Sequence, residues 1–78
     1  AGPGWGVETV DWHPQKALIA TGSKDNLIKL WDARAGRCVH TLHAHKNTVL
    51  RARWNRNGNW LLTSSRDQLL KLFELRTM

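Results

Sequence analysis

Short runs of alternating hydrophobic and polar residues follow one another along this chain, and they predict β-strands. In "VETVDW", residues 7–12, the apolar side chains of Val10 and Trp12 lie on one side of the run and polar side chains lie on the other. A turn signal follows at Pro14. This combination is typical of a short, half-buried strand that ends in a tight turn.

Six further runs have the same character, and polar or glycine-containing turns such as "SKDN", "ARAGR" and "NRNGN" separate them. The runs are "ALIAT" (17–21), "LIKLWD" (27–32), "CVHTL" (38–42), "VLRARW" (49–54), "WLLTS" (60–64) and "LLKLFEL" (69–75). The sequence therefore predicts an all-β protein with antiparallel sheets.

The chain also repeats itself: residues 7–34 align without a gap on residues 49–76, at an offset of 42. Conservative pairs such as Trp31/Phe73 and Asp32/Glu74 extend the likeness. Nine pairs are identical: Val7/Val49, Trp12/Trp54, Thr21/Thr63, Ser23/Ser65, Asp25/Asp67, Leu27/Leu69, Lys29/Lys71, Leu30/Leu72 and Arg34/Arg76.

A period of 42 falls within the ~40 to 45 residues of a four-stranded propeller blade. The prediction is a leading segment (1–6), a first blade (7–42) and a second blade (43–78) that lacks its last strand. A propeller needs ~4 to 8 blades, so either the polypeptide is longer or the two blades self-associate through their exposed outer faces.

The motifs "VDWHP", "SKDNLIKLWD", "TLHAHKNTV", "NGNWLLTSSRD" and "KLFELR" carry a resemblance to the WD-repeat family over residues 5–76. Within that family the chain resembles the WD-repeat subunits of the eukaryotic pre-mRNA cleavage and polyadenylation factor, fungal ones above all. The resemblance implies a nuclear, non-enzymatic scaffold without a cofactor, whose partners are the other subunits of that complex and pre-mRNA.

The resemblance also implies a buried hydrogen-bond network in each blade, formed by a Ser or Thr, an Asp, a Trp and a His. The matching residues are Ser23, Asp25 and Trp31 in the first blade and His45, Ser65 and Asp67 in the second. Both sets depart from the family pattern, because Pro3 stands at the His position of the first blade and Phe73 replaces the Trp of the second.

In the family, partners commonly bind one narrow face of the ring. The positions that the resemblance carries over to this face are Gly6, Glu8 and Lys24 in the first blade and Thr48, Leu50 and Arg66 in the second. Lys46, next to the first strand of the second blade, is a neighbouring candidate. Trp5, in the glycine-rich stretch "GPGWG", is a further candidate for a surface contact with a base or a partner protein.

Charge supports an anionic partner. Twelve Lys and Arg against six Asp and Glu give a net charge of +6. Residues 1–42 contribute five basic and four acidic side chains, and residues 43–78 contribute seven and two. An excess of one sign attracts nucleic acid or an acidic protein surface, although a solvated basic face gives the same composition.

Other chemistry is weakly supported. His40, His43 and His45 lie close together, but no carboxylate or thiolate completes a metal site, so no metal is predicted. No G-x-S-x-G motif or pair of loop carboxylates indicates an enzyme. The single cysteine, Cys38, favours a reducing compartment, and no apolar run of ~20 residues indicates a membrane span.

The remaining Trp and Arg residues predict packing rather than chemistry. Core positions are expected for four tryptophans: Trp12, Trp31, Trp54 and Trp60. Arg51 and Arg53 lie on one side of a first strand, where they either line a central channel or form ion pairs with a neighbouring blade.

Two functions follow: an RNA-contacting scaffold in mRNA 3′-end processing, or a general WD-repeat scaffold that binds proteins only. The first predicts RNA affinity that falls steeply with salt. The second predicts that loss of the basic side chains changes protein binding alone.

Overall fold

A computed structural model describes residues 6–78 of the chain, and the predicted contact at Trp5 and the departure at Pro3 lie outside these residues. The described part consists of seven strands and one short 3₁₀ turn. The strands are β1 (Val7–Trp12), β2 (Leu18–Ser23), β3 (Ile28–Asp32), β4 (Arg37–Leu42), β5 (Val49–Trp54), β6 (Trp60–Ser65) and β7 (Leu70–Glu74), and the 3₁₀ turn is Leu75–Thr77.

The strands form two antiparallel meanders, a first sheet in the order β1-β2-β3-β4 and a second sheet in the order β5-β6-β7. The all-β prediction is confirmed, as is the count of four strands followed by three. Within residues 6–78, no helix has the length or the apolar character that is needed to cross a bilayer.

The 42-residue offset holds in three dimensions. Val10 pairs with Thr21 in the first sheet, and Ala52 pairs with Thr63 in the second. A bulge follows the first residue of β1 and of β5, where the register shifts between Val7 and Thr9 and between Val49 and Arg51. The repeat therefore specifies register and irregularities as well as strand number.

The turns "SKDN" and "SRDQ" share one backbone geometry. Asn26 and Gln68 have positive φ angles of 74° and 69°, a region that Asn tolerates better than most residues. The amide of Asn26 donates to the Ser23 carbonyl, and that of Gln68 donates to the Ser65 carbonyl, both at 3.1 Å. The two turns therefore follow the same backbone path around Asp25 and Asp67.

The core lies between the two sheets. Its fully or nearly buried members are Ala20, Ile28 and Leu30 from the first sheet and Val49, Ala52, Trp54 and Leu61 from the second. Gly22 permits a close approach of the sheets, because a Cβ atom there would lie 2.4 Å from Cγ1 of Val49. The strands β1 and β2 both contact β5, so the two sheets stack face to face.

Side chains of β1 bond the free edge of β5. The Ala52 amide donates to the Thr9 hydroxyl at 3.4 Å, and the Trp54 amide donates to Oδ2 of Asp11 at 2.9 Å. In the opposite direction, Nη1 of Arg53 donates to the Val10 carbonyl at 3.0 Å. Arg53 therefore bonds a backbone carbonyl of the first sheet.

His13, which directly follows β1, connects the two sheets through a hydrogen bond and a ring contact. Its Nδ1 accepts hydrogen bonds from the amides of Gln15 and Lys16, at 3.1 and 3.0 Å. The proton is therefore assigned to Nε2, which donates to the Gly58 carbonyl at 2.9 Å. The imidazole also meets the Trp54 ring edge-on, with centroids 4.9 Å apart.

The expected core positions of Trp12 and Trp60 are wrong for this chain. Trp12 is 62% exposed, while its repeat counterpart Trp54 is 8% exposed. Trp54 faces the first sheet, whereas the same face of β1 meets no other sheet within residues 6–78. Trp60 is also exposed, on the outward face of β6, and Trp31 is half-buried.

Candidate binding face

One edge of the two-sheet unit gathers most of the predicted partner-binding residues, and we call it the upper edge. It is formed where β1 and β5 begin and where β2 and β6 end, and it consists of residues 6–8, 23–27, 43–50 and 65–69. The opposite edge, which carries His13 and Gly58, is called the lower edge.

Lys24 and Arg66 occupy equivalent places on the upper edge. The Lys24 amide donates to the Gly6 carbonyl at 2.9 Å, and the Arg66 amide donates to the Thr48 carbonyl at 3.0 Å. Both side chains are exposed at the turns that follow β2 and β6. The structure therefore brings the two basic residues to the same edge of neighbouring sheets.

The surroundings of these two bases differ. Nζ of Lys24 lies 3.9 Å from Oε1 of Glu8. Within the described residues, no carboxylate forms an ion pair with Arg66 or with the exposed Lys46. The counterpart of Glu8 in the second sheet is Leu50, which is exposed.

Beneath the upper edge, the second sheet contains a chain of buried polar groups. Nδ1 of His45 donates to Oδ2 of Asp67 at 3.0 Å, and Nε2 of His45 lies 2.8 Å from the Thr63 hydroxyl. Because a carboxylate only accepts, the Nδ1 proton is assigned to this bond, and a neutral ring accepts the Thr63 proton at Nε2. The His45 side chain has no exposed area.

Asp67 stays ionised in this position. Burial raises the pKa of Asp67, but hydrogen bonds from the Lys46 amide, the His45 ring and the Leu69 amide outweigh burial and lower the pKa to about 2. The carboxylate therefore holds the loop before β5 and the turn after β6 in one arrangement.

The hydroxyl that contacts His45 is that of Thr63, whereas the sequence-based expectation placed Ser65 in the network. The Ser65 hydroxyl donates to the Asn47 carbonyl and accepts from the Asp67 amide, both at 3.1 Å. In the sequence, the identity of Thr21 and Thr63 at equivalent positions of the repeat pointed to a role for Thr63. The repeat spacing did not distinguish Thr63 from Ser65, because Ser23 and Ser65 are also identical.

In the first sheet the corresponding groups form two separate pairs. Nε1 of Trp31 donates to the Thr21 hydroxyl at 2.9 Å. The Ser23 hydroxyl donates to Oδ1 of Asp25. The bond from Ser23 is the largest cause that lowers the pKa of Asp25, and the Leu27 amide adds to the effect. Ser23 and Asp25 thus do not join Trp31.

The second sheet compensates in part for its missing Trp. The Phe73 side chain has no N–H group to donate, and the Thr63 hydroxyl bonds His45 instead. Nζ of Lys71 donates to the Ala44 carbonyl, whereas its counterpart Lys29 lies over the Trp31 ring, 5.9 Å from the centroid. The loop before β5 is therefore bonded from two sides.

The other histidines of the "HTLHAH" stretch do not join this network. His40 and His43 are exposed. Among residues 6–78, no three His, Cys, Asp or Glu side chains gather in a way that suits a metal ion. His45 takes part in the Asp67 and Thr63 contacts described above.

The chain belongs to the WD-repeat family. The family model "WD domain, G-beta repeat" matches residues 2–32 and 36–74, which together cover most of the chain. The first matched segment contains β1 to β3, and the second contains β4 to β7.

Among curated relatives, the chain is 54% identical to polyadenylation factor subunit 2 of Neurospora crassa and 50% identical to that of Gibberella zeae, over 82% of its length. It is 32% identical to the human F-box-like/WD repeat-containing protein TBL1X over 91% of its length. It spans 10–12% of the length of these relatives.

Proposed function

We propose that this chain forms neighbouring blades of a β-propeller that is a non-enzymatic scaffold in nuclear mRNA 3′-end processing. The proposal is supported above all by the sequence identity of the chain to polyadenylation factor subunit 2 of two fungi, which is 54% and 50%. The assignment of residues 7–42 and 43–78 to two blades, the second incomplete, belongs to the same proposal. The expected partners are pre-mRNA and the other subunits of a cleavage and polyadenylation complex.

The packing of the sheets supports a propeller. The outward face of the second sheet carries Leu70 and Leu72, with exposed fractions of 72% and 63%. Their counterparts Ile28 and Leu30 in the first sheet are buried against the second sheet, at 0% and 1%. A third sheet stacked in the same way would cover the exposed pair, and repetition of this step builds a ring.

The upper edge supports contact with RNA. Lys24, Lys46 and Arg66 are exposed there, and Lys and Arg commonly contact the phosphate oxygens of nucleic acids. The exposed Leu50 adds an apolar side chain to the same edge. Phosphate contacts made by such an edge position the RNA and carry no sequence information by themselves.

The second candidate function is a WD-repeat scaffold that binds proteins only. The identity of 32% with the human TBL1X protein, over 91% of the chain, favours it, because such family-wide similarity does not depend on RNA. In that case the net charge of +6 matches an acidic protein partner.

Equilibrium binding to RNA tests the first function. The full-length protein that contains this chain is titrated into a fluorescent A/U-rich RNA at several salt concentrations. We expect log Kd to rise linearly with log salt, with a slope of roughly 0.7 per phosphate contact. The double variant Lys24→Glu and Arg66→Glu is expected to bind more weakly and with a smaller slope.

The control is the double variant Lys16→Glu and Arg34→Glu, which makes the same change in net charge at exposed positions on the lower edge. It is expected to retain most of the affinity and the slope. Affinity that does not depend on salt, or an equal loss in both double variants, would contradict RNA contact by the upper edge.

A further inference from the structure

The two halves of the upper edge have opposite local charge although they descend from one repeat. The first sheet presents one base and two acids, Lys24 with Glu8 and Asp25. The second sheet presents two bases and one acid, Lys46 and Arg66 with Asp67. The local sum is therefore −1 over the first sheet and +1 over the second.

The exchange of Glu8 for Leu50 accounts for part of this difference. Glu8 lies within 3.9 Å of the Lys24 ammonium group, so the base of the first sheet has an acidic neighbour. At the counterpart position, Leu50 is 39% exposed and carries no charge. Arg66 forms no ion pair with any carboxylate of residues 6–78.

Lys46, whose counterpart in the repeat is Gly4, accounts for the rest of the difference in charge. The two turn aspartates carry the same charge but differ in exposure. The Asp67 side chain is only 9% exposed, and His45 and two backbone amides bond its oxygens. Asp25 has no such histidine among the described residues and lies at an exposed turn, bonded by Ser23 and the Leu27 amide. The negative charge is thus directed inward in the second sheet and remains at the surface in the first.

We propose that RNA binds the upper edge asymmetrically, with Arg66 and Lys46 as the phosphate contacts, Leu50 as an apolar contact to a sugar or base, and Lys24 withheld by Glu8. The inference rests on the proposed function and specifies its site. Arg66 suits the task because a guanidinium group donates two parallel hydrogen bonds to a phosphate.

The asymmetry is tested by exchanging the side chains at the equivalent positions 8 and 50, one position at a time. Leu50→Glu gives Arg66 an acidic neighbour, as Glu8 is for Lys24. This variant is expected to weaken RNA binding by roughly two- to fivefold, which corresponds to the free energy of an exposed ion pair. Glu8→Leu releases Lys24 and is expected to strengthen binding by a similar factor. Arg66→Ala should cost more affinity than Lys24→Ala.

Two controls separate charge from other effects. Gln15→Glu makes the same change in net charge as Leu50→Glu but on the lower edge, and it is expected to leave RNA affinity nearly unchanged. Leu50→Gln removes the apolar side chain without adding charge and should have a smaller effect than Leu50→Glu. Thermal unfolding of each variant of the full-length protein establishes that it is folded.

The outcomes distinguish the inference from the proposed function. If the unaltered protein binds RNA without salt dependence, the proposed function itself fails. If it binds with salt dependence but Arg66→Ala and Lys24→Ala lose the same affinity, the upper edge binds RNA and the asymmetry is wrong. If Leu50→Glu fails to fold, the comparison of the two alanine variants still decides.

Discussion

The hydrogen bond of the Thr63 hydroxyl connects β6 to the loop before β5. The hydroxyl meets a His45 side chain that has no exposed area, and that histidine holds Asp67 in turn. Each of these groups would lose a hydrogen-bond partner in a dry environment if one member were removed, which is why such networks respond strongly to single substitutions.

Thr63→Val tests this link, since it keeps the side-chain shape and removes only the hydroxyl. We expect the free energy of unfolding to fall by about 1–3 kcal/mol, because Nε2 of His45 is left unpaired. Ser65→Ala, which removes bonds at the rim of the same strand, should cost less. Urea unfolding of the full-length protein measures both, and a larger loss for Ser65→Ala would contradict the assignment.

Asp67 predicts how stability depends on pH. Its pKa in the folded protein is about 2, below the ordinary value of 3.8, so its stabilising effect is present above about pH 4 and is lost as the pH falls toward 2. The difference in unfolding free energy between the unaltered protein and Asp67→Asn should therefore shrink over this range. A difference that is constant between pH 5 and pH 2 would contradict the lowered pKa.

At the scale of strands and turns, much of the fold follows from the sequence. The alternation in "VETVDW" and "VLRARW" gave the bounds of β1 and β5 as observed. The 42-residue repeat predicted four strands followed by three, and the registers of the two copies match as well. Alternation identifies the faces of a strand, but it does not tell which face meets another sheet, and for that reason Trp12 and Trp60 were expected in the core.

The network was predicted less completely, for a physical reason. Thr63 and Ser65 lie two residues apart on β6, so their side chains share one face and both are buried. Their positions along the sequence are therefore compatible with a hydrogen bond from either hydroxyl to His45. Only the position of the His45 ring decides between the two hydroxyls.

Gly22 tests the stacking of the two sheets. Gly22→Ala places a methyl group 2.4 Å from Cγ1 of Val49, and we expect a loss of about 1–3 kcal/mol from overpacking. Adding Val49→Ala to Gly22→Ala should restore part of this loss, because it removes Cγ1 of Val49, the atom nearest to the added methyl group. Thermal unfolding of the two variants measures the effect, and equal stability of Gly22→Ala and the unaltered protein would contradict the close approach.

At the scale of the whole molecule, the two sheets bury one face each and expose the other. Exposed Leu62, Leu70 and Leu72 on the second sheet correspond to buried Ala20, Ile28 and Leu30 on the first. The upper edge carries bases at repeated positions, and Arg51, one of the residues expected at a channel or a neighbouring blade, remains exposed on β5. A larger ring of such sheets would present its upper edges together, as one surface for RNA and partner proteins.

Ultraviolet cross-linking of pre-mRNA to the assembled complex tests the central claim, that the upper edge contacts RNA. The double variant Lys24→Glu and Arg66→Glu is compared with the unaltered full-length protein, and co-purification of the partner subunits is measured in the same samples. The account predicts that cross-linking to this protein falls severalfold while the partners still co-purify. Unchanged cross-linking together with loss of partner subunits would contradict it and favour a scaffold that binds proteins only.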